Sequence, residues 1–419
     1  MSSKESVPVK TGSSDRVDRR GATLGALISQ AGATLAQRIR SGELGPLPVI
    51  VGLVAIAIVF QTLNSAFLTP QNMSYMAVQL VGFGLLSSGV IMVLLIGEID
   101  LSIGSVAGVS GAVLAVLAVR FGVPDVAAIL LTILTGALIG VVHGTIFAKV
   151  GVPAFIVTLA GLLGWQGAHL YVLGPEGTIN IARDGAIAII TQTFFAPWIG
   201  WAVAFAALGI YLLALLREAR RRGAAGLPAL SGSEIGLRTI LLALPVLGGV
   251  WVLNQWSGVP LPFLIFVGFV IAFDLVLRKT RYGRMIFAVG GNAEAARRAG
   301  INVDLVRISA FALSSTLAAI GGILLVSRAD GVSQNTGGDE VLMLAIAAAV
   351  IGGTSLFGGR GSAYSALLGM LVIQSITAGL LLLDMDASVR FMITAVVLLV
   401  AVVLDAMSRR SRRVHARGG

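Results

Sequence analysis

Few residues in this chain could perform bond chemistry, and their spacing assembles no reacting group. There is no cysteine, which excludes thiol catalysis, disulfides and iron–sulfur ligation. Three histidines (His143, His169 and His415) are too few and too dispersed for a histidine-based metal site, so no metal is expected. The nearest approach to a phosphate-binding loop is Gly352-Gly353-Thr354-Ser355-Leu356-Phe357-Gly358-Gly359-Arg360-Gly361-Ser362. It lacks the lysine that must reach the terminal phosphates. The kinase motifs, a Gly-x-Ser-x-Gly elbow and a His-Glu-x-x-His zinc motif are also missing. No catalytic residue is expected. What remains is acidic: Gly97-Glu98-Ile99-Asp100-Leu101-Ser102-Ile103-Gly104-Ser105 places two carboxylates between apolar runs.

The elements that must position this pair follow from composition. The chain has 419 residues, 56% hydrophobic and only 12% charged. Soluble domains carry roughly 25% charged residues, and single cores stop growing beyond about 250–300 residues. A soluble enzyme is excluded. The expected fold is all-α: a polytopic integral membrane protein with about twelve hydrophobic spans. Nearly uncharged runs, each long enough for a hydrocarbon core of about 30 Å, fall near 46–63, 77–96, 101–119, 126–148, 152–173 and 195–216. Six more fall near 239–256, 260–277, 308–327, 341–357, 364–383 and 389–407. The 53 glycines include Gly104-xxx-Gly108 and the ladder Gly136, Gly140, Gly144. That spacing lets helix backbones approach closely in lipid, so these glycines read as packing surface.

The net charge of +10 could point to nucleic acid, and position decides against it. With the N-terminus in the cytoplasm, the loops sort all but four of the 30 lysines and arginines to that side. The exceptions are Arg120, Arg183, Arg328 and Arg390. The basic balance is a positive-inside signal; no nucleic acid partner is expected, and both termini are expected in the cytoplasm. Residues 1–45 form a polar tail and, from Leu24, an amphipathic pattern that predicts an interfacial helix. Residues 46–407 are the membrane domain and 408–419 a basic cytoplasmic tail.

Two polar features interrupt the apolar pattern. A carboxylate at a helix centre costs roughly 2.5–3.5 kcal/mol against about 0.3–0.6 returned per leucine. Glu98 and Asp100 therefore belong in a break between helices, at an interface or lining a wet cavity. Asp100 is placed to cap the next helix, and Glu98 has no such structural reason. The second feature is the basic segment 278–307. Within it Glu294-Ala295-Ala296-Arg297-Arg298-Ala299-Gly300 predicts a short helix with Asn292 as N-cap and Gly300 closing it. A short rigid helix offered to the cytoplasm suits docking to another protein.

At these residues a resemblance enters. Glu294, Ala295 and Ala296 followed by Gly300 resemble the EAA loop of ABC importer permeases, the helix that sits in a groove of the partner ATPase. The run Gly97–Ser105 resembles the Gly-Gly-Ile-Asp-Leu-Ser-Val-Gly-Ser signature of the ribose/xylose/arabinose sugar permeases. Gly352, Gly353, Gly358 and Gly359 fall in a stretch similar to a second glycine-rich motif of that family. The resemblance covers residues 70–215 and 258–405. Glu98 in place of the commoner glycine, and the insertion over 217–256, are similar to the longer xylose-type members.

The resemblance implies a monosaccharide permease of an ABC importer in the bacterial cytoplasmic membrane, with ATP and magnesium on a partner ATPase and no cofactor on this chain. The implied partners are a second permease copy, the cytoplasmic ATPase, a periplasmic sugar-binding protein and the bilayer. It also implies a translocation path or helix break at Gly97, Glu98, Asp100, Ser102, Gly104, Gly352, Gly353, Gly358 and Gly359, with ATPase coupling at Glu294, Ala295, Ala296 and Gly300. The alternative is a proton-coupled secondary transporter using Glu98 and Asp100 as a relay. Gln79, His143, Gln166, His169, Asn254, Asp274 and Gln374 are scattered polar groups in apolar runs, expected mostly as helix–helix hydrogen-bond partners or interface residues. Ile96-Gly97, Leu101 and Gly104 faintly echo Ile351-Gly352, Leu356 and Gly359 at a fixed offset.

Overall fold

The computed structural model describes residues 47–228, 230–397, 399–400 and 403. The tail and interfacial helix expected over 1–45, and the basic tail over 408–419, lie outside the described residues.

The apolar runs become helices in the expected order. They are α1 (Leu47–Leu63), α2 (Pro70–Leu95), α3 (Ile103–Ala115, continued by a π turn to Arg120), α4 (Asp125–Thr145, continued by a π turn to Val150) and α5 (Ala154–Leu173). A short α6 (Ala186–Gln192) precedes α7 (Pro197–Ala224), α8 (Gly232–Asn254) and α9 (Leu261–Lys279). The basic segment holds α10 (Arg281–Gly291) and α11 (Ala293–Arg298), before α12 (Val303–Ala329), α13 (Asp339–Ile351), α14 (Tyr364–Leu382) and α15 (Ala387–Val397). Nine of these, among the described residues, are long and apolar enough to cross a membrane. The shorter α1, α13 and α15 overlap the other three expected runs, the last of which is described only in part.

Several helices begin five to seven residues before the expected apolar run, at Pro70, Gly232 and Val303, and three further differences have identifiable causes. The tenth run, expected to reach residue 357, ends as a helix at Ile351. Hydropathy does not register that Gly352 is packed against the Ser365 carbonyl and that Gly353 takes φ +100°. The basic stretch after residue 216 is not loop but the end of α7, held by good helix formers and a Glu218–Arg222 pair at 2.7 Å. Residues 281–291 form a helix of their own, where Thr280 accepts from the Gly283 amide at 3.1 Å. Four strands of two or three residues also appear. Thr178–Asn180 pairs antiparallel with Gly331–Ser333 (Ile179 opposite Val332), and Phe194–Phe195 pairs with Val259–Pro260.

Packing is centred on α2 and α12. In the most apolar stretch of α2, 83% of residues are buried, against 6% for α8, so α2 is core and α8 peripheral. The glycine ladder does what its spacing predicts. A Cβ at Gly136 would lie 2.7 Å from the Ser315 carbonyl oxygen, one at Gly140 2.6 Å from Ala312 Cα, and one at Gly144 2.7 Å from Ile308 Cα. Helices α4 and α12 thus touch backbone to backbone, which maximises dispersion contact where no hydrophobic effect operates. Gly104 and Gly108 bring α3 equally close to the 336–338 turn before α13. Several scattered polar groups tie helices together. Gln374 donates to Gln79 at 2.6 Å, and Asn254 donates to the Pro197 carbonyl at 3.1 Å. Asp274 instead pairs with Arg278 on its own helix.

Candidate functional site

Helix α2 stops at Leu95 because the chain turns left-handed at Gly97, with φ +85°. The Gly97 amide donates to the Leu94 carbonyl at 2.9 Å and the Glu98 amide to Val93 at 3.1 Å. Glycine is the residue that adopts this closing geometry without strain. The acidic pair therefore sits outside both flanking helices, in the break that the cost of membrane carboxylates predicts.

Asp100 is 3% exposed and fully partnered. Its Oδ1 accepts from the Ser102 amide at 2.9 Å and the Ser102 hydroxyl at 2.6 Å, and its Oδ2 accepts from Ser314 of α12 at 3.3 Å. The Ser102 hydroxyl lies 3.3 Å from His143 Nδ1 on α4, while His143 Nε2 accepts from Trp165 Nε1 on α5 at 2.9 Å. An indole N–H can only donate, so Nε2 carries no proton and the imidazole is the neutral Nδ1–H tautomer. The chain of donors runs from Trp165 through His143 and Ser102 to Asp100. Asp100 turns the chain into α3 by an Asx-type bond two residues on, while Ser102 occupies the N-cap position. This network ties the break to α4, α5 and α12. His143 and Trp165 also stand on the wall of an otherwise apolar cavity of about 460 Å³ between α4 and α5.

Glu98 faces a different set of groups. Its carboxylate lies 3.8 Å from Arg307 at the start of α12. Burial pushes its pKa up from the usual carboxylate range, and the Arg307 charge brings it part of the way back.

The glycine loop after α13 meets the same place. The Gly359 amide donates to the Leu95 carbonyl at 3.0 Å. A Cβ at Gly358 would fall 2.7 Å from Gly97 Cα and 2.8 Å from the Gly290 carbonyl oxygen, and one at Gly290 would overlap the Leu95 carbonyl. Three segments, 95–98, 290–291 and 358–359, thus join at one end of the bundle. Just beyond Gly291, Asn292 accepts from the Ala295 amide at 2.9 Å and starts α11. There Glu294, Ala295 and Gly300 are exposed while Ala296 is buried against the bundle. Gly300 has φ +84° and open space around it. Arg297 pairs with Asp304 at 3.4 Å and Glu294 with Arg298 at 3.2 Å.

Of the residues singled out by sequence, Gly97, Glu98, Gly358 and Gly359 are brought together. Asp100 and Ser102 form the adjoining network, and Gly104 packs instead on the turn before α13. Gly352 packs on Ser365 and Gly353 faces open space, so neither joins the junction. Sequence reasoning missed Gly290, Gly291, Ser314, Trp165 and Arg307. The only signal was a glycine pair directly before an N-cap asparagine. Among the described residues, no group of three or more His, Asp or Glu is placed to hold a metal ion.

The comparisons agree with this architecture. The model of a family described as branched-chain amino acid transport system / permease component matches residues 72–402. The xylose transport system permease protein of Escherichia coli K12 is 34% identical over 373 residues, covering 89% of this chain and 94% of that one. The corresponding Haemophilus influenzae protein is 33% identical, covering 87% and 97%. The ribose import permease protein of Bacillus subtilis is 31% identical, covering 87% and 92%. No solved structure matches. The chain belongs to this permease family, and it is a multi-pass, predominantly helical membrane protein whose family carries out transport rather than catalysis.

Proposed function

We propose that this chain is the membrane-spanning permease subunit of an ATP-driven importer for a monosaccharide, with xylose the first sugar to test. It spans the bacterial cytoplasmic membrane twelve times with both termini inside, and two copies pair. ATP and magnesium are held by a cytoplasmic ATPase docked on each copy, and a periplasmic binding protein delivers the sugar. Closure of the ATPases moves α11 (Glu294, Ala295 and Gly300 at its exposed surface) and rocks the spans between outward and inward access.

One observation carries this reading. The exposed helix over 293–298 follows directly on Gly290 and Gly291, which abut the break at Gly97 and the glycine loop at Gly358 and Gly359. A push on the exposed surface therefore reaches both helix interruptions through backbone contacts. The similarity to xylose and ribose permeases supports the sugar class. Asp100 is buried with both carboxylate oxygens accepting from Ser102 and Ser314, which suits a structural role, so a relay would have to run through the quarter-exposed Glu98.

The test uses the absence of cysteine. Single cysteines at Asn292 and Ser231 should label only from the cytoplasm, and one at Thr178 only from outside. Labelling of position 292 from the periplasm would remove the docking assignment. Gly300→Leu should insert and bind the ATPase yet hydrolyse ATP without importing sugar. Glu294→Arg, which leaves the backbone unstrained, should weaken co-purification of the ATPase. Normal import and normal co-purification in both variants would return 293–298 to an ordinary basic loop.

A further inference from the structure

Arg307 stands on the second turn of α12, and its guanidinium touches two separate elements. Its Nη2 lies 3.8 Å from Glu98 Oε1 in the break. Its Cζ stands 4.5 Å from the centroid of the Phe147 ring. Phe147 belongs to the π turn ending α4 and is buried, its ring 5.7 Å from that of Phe311 on α12. One turn before Arg307, Asp304 pairs with Arg297 of α11. Two residues after it, the Ser309 hydroxyl lies 2.9 Å from the Tyr282 hydroxyl of α10. The start of α12 is thus tied on one side to both helices of the basic segment. The Arg307 guanidinium adds a charged link from the start of α12 to the break and to the end of α4, beside the apolar Phe147–Phe311 contact and one turn or more before the Ser314–Asp100 hydrogen bond.

Arginine suits this position. Its planar cation can lay its face on an aromatic ring while its edge points at a carboxylate, which a lysine ammonium cannot do. Arg307 and Glu98 are each about three-quarters buried, so salt screens their attraction less than that of a surface pair. The neighbouring glycine contacts act differently. Gly290 against the Leu95 carbonyl resists compression and transmits a push but offers little against separation; the hydrogen bond at this junction runs from Gly359 to Leu95 instead. Opposite charges and a stacked ring also resist separation, so they transmit a pull.

We propose that Arg307 is a positioning residue for import, the charged tie near the coupling helix that helps the 96–100 break and the end of α4 follow the 293–298 helix in both directions of its movement. This rests on the reading of 293–298 as the ATPase contact. The residue itself touches no substrate.

The test uses the full transporter, this chain with its ATPase and binding protein, in proteoliposomes. Arg307→Gln should retain ATPase co-purification and hydrolyse ATP within about twofold of wild type, while sugar imported per ATP falls at least fivefold. Arg307→Lys keeps the charge and loses the fork, and its ratio should fall at least twofold; it also serves should the glutamine variant fail to assemble. Glu98→Cys with Arg307→Cys should be uncoupled when the thiols are free. Bridging them with a short bifunctional thiol reagent should restore at least half of the wild-type ratio. An unchanged import-to-ATP ratio in Arg307→Lys and Arg307→Gln would overturn the proposal, as would a bridged pair that stays uncoupled or blocked. Failure of the docking reading shows elsewhere, as unaltered ATPase co-purification and hydrolysis in Glu294→Arg.

Discussion

The two glycine-rich interruptions, 96–102 and 352–362, end apolar helices at the same end of the bundle and touch one another through Gly97 and Gly358. They are held by different forces. In the first, side chains do the work: Asp100 gathers Ser102 and Ser314, and Glu98 faces Arg307. In the second, backbone meets backbone: the Ser355 amide donates to the Arg360 carbonyl at 2.9 Å, and the Gly359 amide reaches Leu95. Gly352 and Gly358 are there because nothing larger fits. The echo between the two sequences is therefore one of position rather than of chemistry. One break is specified by hydrogen bonding and charge, the other by volume and backbone conformation.

Substitutions that separate volume from charge put this contrast at risk. The largest effect is expected in the second break and its contact. Gly352→Val and Gly290→Val would drive a side chain into the Ser365 and Leu95 carbonyls, in a site with little room to relax. Overpacking of this kind costs about 1–3 kcal/mol or more, and little folded protein should survive in a detergent thermal-stability assay. Gly353→Ala, at φ +100° but in open space, should lose only about 1–2 kcal/mol. If all three behave alike, volume is not what defines this loop.

Next is Asp100. Asp100→Leu would take the acceptor from the buried Ser102 and Ser314 hydroxyls, at about 1–3 kcal/mol where no other acceptor replaces it. Asp100→Asn keeps an acceptor and should retain most of the stability and much of the import. Equal damage from leucine and asparagine would show that the charge, not the acceptor, holds the break.

Glu98 gives the smallest effect and a pH signature. Its folded-state pKa is raised by burial, so protonation favours the fold, and this contribution grows as pH falls through the raised range. Relative to Glu98→Gln, wild type should gain thermal stability on acidification and lose that gain toward neutral pH. A difference independent of pH would mean that the carboxyl is not desolvated as the structure places it.

The parts of the fold that were legible in the sequence are those that lipid enforces. Two carboxylates cannot share a span, so the 96–102 break is readable; Asn292 and Gly300 bracket α11 by capping chemistry alone. The glycine ladder on α4 declares a packing face, though not that α12 is its partner. The close of α13 at Ile351 was not legible, because hydropathy is blind to Gly352 lying on Ser365. Nor was the junction itself. Ser314 bonds Asp100 across 214 positions of sequence, and Arg307 meets Glu98 across a similar separation, in pairings set by how helices cross rather than by local pattern.

The proposed driving force is ATP on a partner subunit, and uptake tests it most directly. Proteoliposomes containing the chain, its ATPase and its sugar-binding protein are loaded with or without ATP, and labelled xylose accumulation is followed before and after the proton gradient is collapsed. Accumulation should require ATP, persist without the gradient, and continue in Glu98→Gln, though with less sugar imported per ATP because Arg307 has lost its charged partner. Accumulation that ignores ATP, stops when the gradient collapses and disappears in Glu98→Gln would contradict the account and identify a proton-coupled transporter.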